Sequence, residues 1–128
     1  MKNSKLYRCV IVDDDRMSID ILTGYISKVP KLNVYKSYQS ASMAINEINM
    51  DDDIDFLFLD IRMDISGIDV AKVLRDKVKF IIFVTAYDEF ALNAFSVGGD
   101  QYLVKPVFFP KFLETINHVL KRNNASVV

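Results

Sequence analysis

Three short runs of apolar residues constrain the fold of this chain more than any other feature. They cover residues 9–12, 56–59 and 80–84, and acidic or hydroxyl side chains follow them directly. Runs that are apolar throughout are typical of strands buried on both faces, as in the middle of a parallel sheet. The residues that follow are Asp13, Asp60 and Thr85. The three runs therefore predict central strands of an α/β protein.

Amphipathic stretches lie between these runs and predict five helices, with Pro30 ending the first, Ser40 capping the second and Pro110 in the first turn of the last. The predicted apolar stripes are Ile19, Leu22, Tyr25, Ile26 and Val29; Ala41, Ala44, Ile45 and Ile48; Val70, Ala71, Val73 and Leu74; Phe90, Ala91, Ala94 and Phe95; and Phe109, Phe112, Leu113, Ile116, Val119 and Leu120. The fourth helix is expected over about 89–97, and the polar residues from Asn123 onward are expected to form a frayed tail.

Two weaker strands complete the pattern. Residues 32–36 alternate between apolar and polar, and residues 102–104 form a short run, so both are predicted at the edges of the sheet. A strand followed by a helix, repeated five times, predicts a parallel sheet with helices on both faces. The expected fold is α/β, a doubly wound five-stranded parallel sheet of order 2-1-3-4-5 flanked by five helices.

Composition and length limit the classes of function. The 128 residues are expected to form a single domain with a core over about 7–122, and the net charge of −1 gives no reason to expect nucleic acid or an anionic membrane as a partner. No apolar stretch approaches the ~18 residues needed to span a bilayer, and the N-terminus lacks the apolar core of a signal peptide. A cytoplasmic protein is expected, with its single cysteine, Cys9, buried in the first strand.

The carboxyl ends of the predicted strands carry an unusual set of polar side chains, which the parallel topology brings to one edge of the sheet. They are Asp13, Asp14, Asp60, Thr85 and Lys105. An aspartate after a strand often only begins a turn, but three clustered carboxylates repel one another unless a cation intervenes, and oxygen-only ligands suit Mg²⁺. A hydroxyl and an ammonium could hold a phosphoryl group, and a carboxylate can itself be the nucleophile. The set predicts a Mg²⁺-assisted aspartyl-phosphate site centred on Asp60.

Four strings carry a resemblance to a known family: CVIVDDD, FLFLDIRM, FVTAYDEFALNAF and DQYLVKPV. They resemble the receiver domain of two-component response regulators, a CheY-like and flavodoxin-like fold, over about residues 7–122. The resemblance implies that Asp60 is the phosphoacceptor, that Asp13 and Asp14 are the acidic pair for Mg²⁺ with Asp14 as the direct ligand, and that Thr85 and Lys105 contact the phosphoryl group.

Further roles follow from the resemblance alone. The backbone carbonyl of Arg62 matches the remaining protein ligand of the metal, and Tyr102 matches the aromatic switch residue. The family usually has a cis peptide bond before the proline at the position of Pro106. The resemblance implies a signalling domain that is not an enzyme in its own right, with a sensor histidine kinase as its partner.

The segment TAYDEFALNAF is most similar to receivers of the LytTR type, which precede a DNA-binding domain. No such output domain is present in these residues, so contact with DNA is expected only through an absent output domain. A homodimer could form through the surface of helix four, strand five and helix five, and Phe108 is expected to be exposed on it.

Two positions depart from the family pattern in the loop after Asp60. Asp64 replaces the usual proline, and Gly67 arrives one residue early. The shortened loop puts its geometry and the rate of phosphorylation in question, and a metal contact from Asp64 stays open. Asp15 is predicted either to cap the first helix or to support the acidic cluster, and His118 to lie far from it.

Other functions are considered on the same residues. A phosphatase of the haloacid dehalogenase type needs an aspartate two positions after its nucleophile, where this chain has Arg62. A flavin or nucleotide binder of this fold would need a glycine-rich phosphate loop after the first strand. The alternative that stays open is a pseudo-receiver, an interaction module that works without phosphorylation. Arg62 and Tyr87 flank the expected path of water, which predicts slow loss of the phosphoryl group.

Overall fold

The computed structural model describes residues 6–127, and the side chains of residues 6–123. Within them the chain forms five strands, all parallel, in the sheet order β2-β1-β3-β4-β5. The strands are β1 (Tyr7–Val12), β2 (Leu32–Tyr38), β3 (Ile54–Leu59), β4 (Val78–Thr85) and β5 (Gln101–Val104). The predicted fold class and strand order are therefore confirmed.

Five helices cover the two faces of the sheet within the same residues. They are α1 (Arg16–Ser27), α2 (Ala41–Glu47), α3 (Gly67–Leu74), α4 (Ala91–Ser96) and α5 (Phe109–Val127). Ser40 caps α2 as predicted, because its hydroxyl accepts a hydrogen bond from the backbone N–H of Met43 at 3.2 Å. Among the described helices, none is long and apolar enough to cross a membrane.

The core consists of two layers separated by the sheet. One layer packs α1 and α5 against the sheet, and the other packs α2, α3 and α4 against the opposite face. Central strand β3 is buried at all six positions and alternates between the layers: Phe56 and Phe58 enter the first, and Leu57 and Leu59 enter the second. Both layers therefore fix the end of β3, where Asp60 follows.

Three details of the sequence prediction were wrong. Val73 is exposed because the buried residues of α3 are Gly67, Val70, Ala71 and Leu74, the spacing of a single helix face. Phe95 is also exposed, since the short α4 buries only Ala94 fully. The tail predicted from Asn123 onward is instead helical to Val127. No glycine or proline lies between these two residues to end α5.

Candidate functional site

The carboxyl edge of the sheet brings the predicted acidic residues together. Asp13 and Asp14 follow β1, and Asp60 follows β3. One carboxylate oxygen from each lies within 4.8 Å of the others, and this is the group that the described residues offer for a metal ion. Strands β1 and β3 are direct neighbours, and the N–H of Asp60 donates to the carbonyl of Val12 at 3.0 Å. The pairing of two central strands therefore builds the cluster.

Asp13 is the most enclosed of the three carboxylates, with 1% of its surface exposed. Its Oδ1 accepts the backbone N–H of Asp15 at 2.9 Å, and its Oδ2 accepts the ammonium of Lys105 at 2.8 Å. Burial raises the pKa of Asp13 more than these hydrogen bonds lower it, and the charge of Asp60 raises the pKa further. The ionised form of this carboxylate therefore lowers the stability of the folded protein.

Lys105 follows β5 and supplies a positive charge to the cluster. Its Nζ lies 2.8 Å from Asp13 Oδ2 and 3.5 Å from Asp60 Oδ2. Burial lowers the pKa of Lys105, but the hydrogen bonds to Asp13 and Asp60 and their charges outweigh burial, so its pKa is raised overall. One ammonium contacts two of the three carboxylates, so the cluster keeps an excess of negative charge. The bond between Lys105 and Pro106 is cis, as the resemblance implies.

Asp60 is buried, and its two oxygens have different surroundings. Oδ1 accepts the N–H of Ile61 at 2.8 Å, whereas Oδ2 faces Lys105. One oxygen is thus occupied by the backbone, and the other points into the acidic cluster beside the ammonium. Held in this way, the carboxylate can use Oδ2 as the nucleophilic oxygen that attacks an electrophile.

In the loop after Asp60, the backbone at Gly67 lies directly against the backbone at Asp60 and Ile61. The N–H of Gly67 donates to the carbonyl of Ile61 at 2.7 Å, and a Cβ built on Gly67 would lie 1.9 Å from the carbonyl oxygen of Asp60. Only glycine permits so close an approach of two backbone segments. Met63 and Ile65 pack against the second core layer and anchor the turn.

Asp64 contacts the start of α2 and is not a member of the acidic cluster. Its side chain is exposed, and Oδ1 accepts the N–H of Ala41 at the start of α2, at 3.4 Å. The metal contact left open for Asp64 is not supported, because the carboxylate faces the positive end of a helix instead. Asp64, which stands where the family usually has a proline, therefore connects this loop to the start of α2.

Thr85 ends β4 and is fully buried. Its Oγ1 makes no hydrogen bond to any residue in the described part of the chain. An unpaired buried hydroxyl typically costs about 1–3 kcal/mol, and such groups therefore call for a functional explanation. A bound group at the carboxyl edge, or a shift of the threonine toward it, would satisfy the hydroxyl.

Tyr102 lies on β5 beside β4, and its hydroxyl donates to the backbone carbonyl of Tyr87. Burial is the main cause of its raised pKa. This hydrogen bond links β5 to the segment between Thr85 and α4. The residue predicted as the switch is therefore in contact with the segment that follows Thr85.

The side chain of Arg62 makes contacts that the sequence analysis missed. Its guanidinium lies over the ring of Tyr87, with 4.1 Å from Cζ to the ring centroid, and forms an ion pair with Glu89 at 3.2 Å. Such a contact joins two loops whose relative placement depends on the whole fold, so no spacing in the sequence indicates it.

Asp15 caps α1 by accepting the N–H of Met17 at 3.1 Å, and His118 is exposed on α5.

The donor set fits a small divalent cation. Three carboxylates converge, one ammonium offsets part of their charge, and the ligand atoms that this cluster offers are all carboxylate oxygens. Mg²⁺ prefers a few carboxylate ligands together with water, and it is the ion best matched to such a set. Together with Lys105 and the unpaired Thr85 hydroxyl, the site can hold an anionic group beside a nucleophilic carboxylate.

Replacing Asp13 with asparagine should raise the free energy of unfolding measured without divalent cations at neutral pH, because the cost of burying the ionised carboxylate outweighs its hydrogen bonds, the one from Lys105 included. Its raised pKa means that the stability contributed by this group is present below the ordinary value of 3.8 and is lost as the pH rises through the folded-state value. The difference between variant and wild type should be largest near neutral pH and should shrink toward pH 3.8. Urea unfolding in EDTA at several pH values measures it.

Asp20→Asn is the matched control, since Asp20 is an exposed carboxylate in an ion pair with Arg16. It should change the free energy of unfolding by less than about 0.5 kcal/mol. A loss of stability in Asp13→Asn would mean that the pairing with Lys105 outweighs the cost of burial.

Comparisons with known proteins show the family of this chain. The family model described as "Response regulator receiver domain" matches residues 9–117. The sensory transduction protein LytT of Enterococcus faecalis is 35% identical over 121 residues, which cover 92% of this chain and 50% of that protein. The chain thus spans about half the length of the curated relatives it matches.

Solved structures share the fold. A CheY-like receiver domain protein from Methanospirillum hungatei has a TM-score of 0.81 at 23% identity, covering 95% of this chain and 99% of that one. CheY in a complex with CheX, BeF3 and Mg²⁺ from Borrelia burgdorferi has a TM-score of 0.80 at 21% identity, covering 89% of each chain.

Proposed function

Because the chain belongs to the response regulator receiver family, we propose that it accepts a phosphoryl group on Asp60 and signals through the resulting change of surface. The observation that carries the proposal is the placement of Asp60 Oδ2, which lies 3.5 Å from Lys105 within a cluster of three carboxylates. The donor would be the phosphohistidine of a sensor histidine kinase, or a small molecule such as acetyl phosphate. As in the family, the protein would act in the cytoplasm.

Mg²⁺ is the proposed cofactor, held by Asp13, Asp14, Asp60 and the backbone carbonyl of Arg62. Asp14 is the exposed member of the acidic cluster and is proposed as the direct ligand of the pair. When bound, Mg²⁺ supplies positive charge that neutralises the carboxylates and the transferring phosphoryl oxygens.

The protein's own residues would carry the transfer. Oδ2 of Asp60 attacks phosphorus; the new P–O bond forms as the bond to the donor breaks, and the donor leaves with that electron pair. Lys105 is already protonated and pairs with one phosphoryl oxygen without giving up its proton. The hydroxyl of Thr85 gains in the phosphoryl group the partner that it lacks among the described residues.

The proposed output is a change in the surface of α4, β5 and α5. A shift of Thr85 toward the phosphoryl group would move the segment whose carbonyl Tyr102 binds, and so alter this surface. Apolar side chains are exposed there, among them Leu92 at 86% and Phe108 at 67%. Such residues suit a homodimer or a docked domain, and the output would be a LytTR-type DNA-binding domain beyond these residues.

The experiment that tests the function is intact-mass spectrometry of the wild-type protein after incubation with acetyl phosphate, with and without Mg²⁺. The expected result is one added phosphoryl group that requires Mg²⁺ and maps to the peptide containing Asp60. No adduct with acetyl phosphate, together with no Mg²⁺ binding by calorimetry, would contradict the proposal and favour the pseudo-receiver. No adduct despite Mg²⁺ binding would call for repeating the test with a kinase as the donor.

Phosphorylated protein should lose its phosphoryl group slowly at neutral pH with Mg²⁺, over minutes or longer. The Arg62 guanidinium lies 4.1 Å from the centroid of the Tyr87 ring. Arg62 comes two residues after Asp60, and Tyr87 two residues after Thr85, so this pair would restrict the approach of water. The decay of the phosphorylated mass after removal of the donor measures the rate. A half-life of seconds would contradict this prediction.

A further inference from the structure

The side chain of Arg62 joins the loop after Asp60 to the segment before α4. Its guanidinium lies 4.1 Å from the centroid of the Tyr87 ring and 5.4 Å from that of Phe90, and it pairs with Glu89 at 3.2 Å. The side chain remains 54% exposed, so dense packing does not force it into this position. The three contacts to one short segment hold it there, and we name this group the Arg62 clamp.

Tyr87 is held from two sides. Arg62 covers its ring, and the hydroxyl of Tyr102 donates to its backbone carbonyl. Tyr87 lies two residues after Thr85, whose hydroxyl is buried without a partner among the described residues. The segment that must move if Thr85 moves is therefore attached both to β5 and to the loop after Asp60.

We propose that Arg62 is a positioning residue that transmits the state of Asp60 to α4 through Tyr87. The inference rests on the proposed function of Asp60. It adds a second route beside Thr85: the loop after Asp60 adjusts when the carboxylate is modified, and Arg62 carries that adjustment to residues 87–90. The Arg62 side chain contacts Tyr87, Glu89 and Phe90 in the segment before α4, and it acts on α4 through these residues.

The chemistry of the clamp favours arginine over lysine. A guanidinium is planar, so it can stack on an aromatic ring while its N–H groups reach a carboxylate at its edge. An ammonium can keep the ion pair with Glu89 but cannot stack in this way. Arg62→Lys should therefore retain part of the clamp, and Arg62→Ala should retain none.

The test compares wild type with Arg62→Ala, Arg62→Lys and Glu89→Gln. The control is Arg16→Ala, which removes another exposed arginine from an exposed ion pair, in this case with Asp20 on α1. Amide hydrogen exchange of residues 86–96 reports how firmly the segment is held. The change in α4 amide NMR signals on adding Mg²⁺ and beryllofluoride reports the coupling to Asp60.

Arg62→Ala should speed amide exchange in this segment by about fivefold, the effect of losing a stacked cation and an exposed ion pair. It should also reduce the α4 response to beryllofluoride, because the contact that carries the state of Asp60 to residues 87–90 is lost. Arg62→Lys should be intermediate, Glu89→Gln should have a smaller effect than Arg62→Ala, and the control should match wild type.

Unchanged exchange and an unchanged α4 response in Arg62→Ala would overturn the inference. Faster exchange with a full α4 response would also overturn it, because the clamp would then be only structural. A wild type that shows no response to beryllofluoride would instead count against the proposed function, and the exchange rates would still decide whether the clamp holds the segment.

Discussion

Asp60→Asn should gain no phosphoryl group from acetyl phosphate under conditions in which the wild-type protein is fully modified. An amide oxygen is a far weaker nucleophile than a carboxylate, and Oδ2 of Asp60 is the oxygen that faces Lys105. The substitution also removes one of three clustered carboxylates, so Mg²⁺ affinity should fall about tenfold or more. Intact-mass spectrometry and calorimetry measure the two effects.

The fold should survive this substitution, because Lys105 keeps its 2.8 Å contact with Asp13. Asp64→Asn is the matched control: it removes an exposed carboxylate from the same loop, and that carboxylate contacts the N–H of Ala41 instead of the cluster. Asp64→Asn should accept the phosphoryl group and bind Mg²⁺ like the wild type. Modification of Asp60→Asn at another residue would show that the acceptor has been misassigned.

Gly67→Ala should disrupt both the fold and the site. The new Cβ would lie 1.9 Å from the carbonyl oxygen of Asp60 and 2.9 Å from Cα of Ile61, and both are backbone atoms that cannot turn aside. The loop must move, at a cost of about 3 kcal/mol or more in the free energy of unfolding. A displacement of about 1 Å at the nucleophile can lower a rate about a hundredfold.

Gly24→Ala controls for the effect of adding a methyl group. Gly24 lies within α1, and a Cβ there would meet no heavy atom within 4 Å. This change should stabilise the protein by about 0.5–1 kcal/mol, because alanine loses less backbone entropy in a helix. For both variants, urea unfolding measures the stability, and the rate of phosphorylation by acetyl phosphate measures the reactivity of Asp60. A Gly67→Ala protein as stable and reactive as wild type would show that the loop is looser than the structure indicates.

The topology could be predicted from the sequence because the buried positions of a strand are occupied by apolar residues. Strand β3 is apolar at four successive positions since both of its faces contact the core, and the alternation in β2 marks an edge. The meeting of Asp13, Asp14 and Asp60 follows from the same reasoning, because the ends of neighbouring parallel strands share one edge of a sheet.

The details that could not be predicted depend on loops and on tertiary contacts. Asp64 carries a charge that suits a metal site, but the direction of its side chain is set by the N-terminus of α2, which is distant in sequence. The contact of Arg62 with Tyr87 spans two loops in the same way. Phe95 fits an apolar stripe, yet α4 is too short to bring that stripe fully against the sheet.

The unequal oxygens of Asp60 have a stereochemical consequence. In water, rotation makes the two oxygens of a carboxylate equivalent. Here the N–H of Ile61 holds Oδ1 at 2.8 Å, and exchanging the two oxygens would require breaking that hydrogen bond in a buried position. If Asp60 is the acceptor that we propose, the backbone fixes the direction of its attack in advance, and a donor would have to bring its leaving group into line with Oδ2.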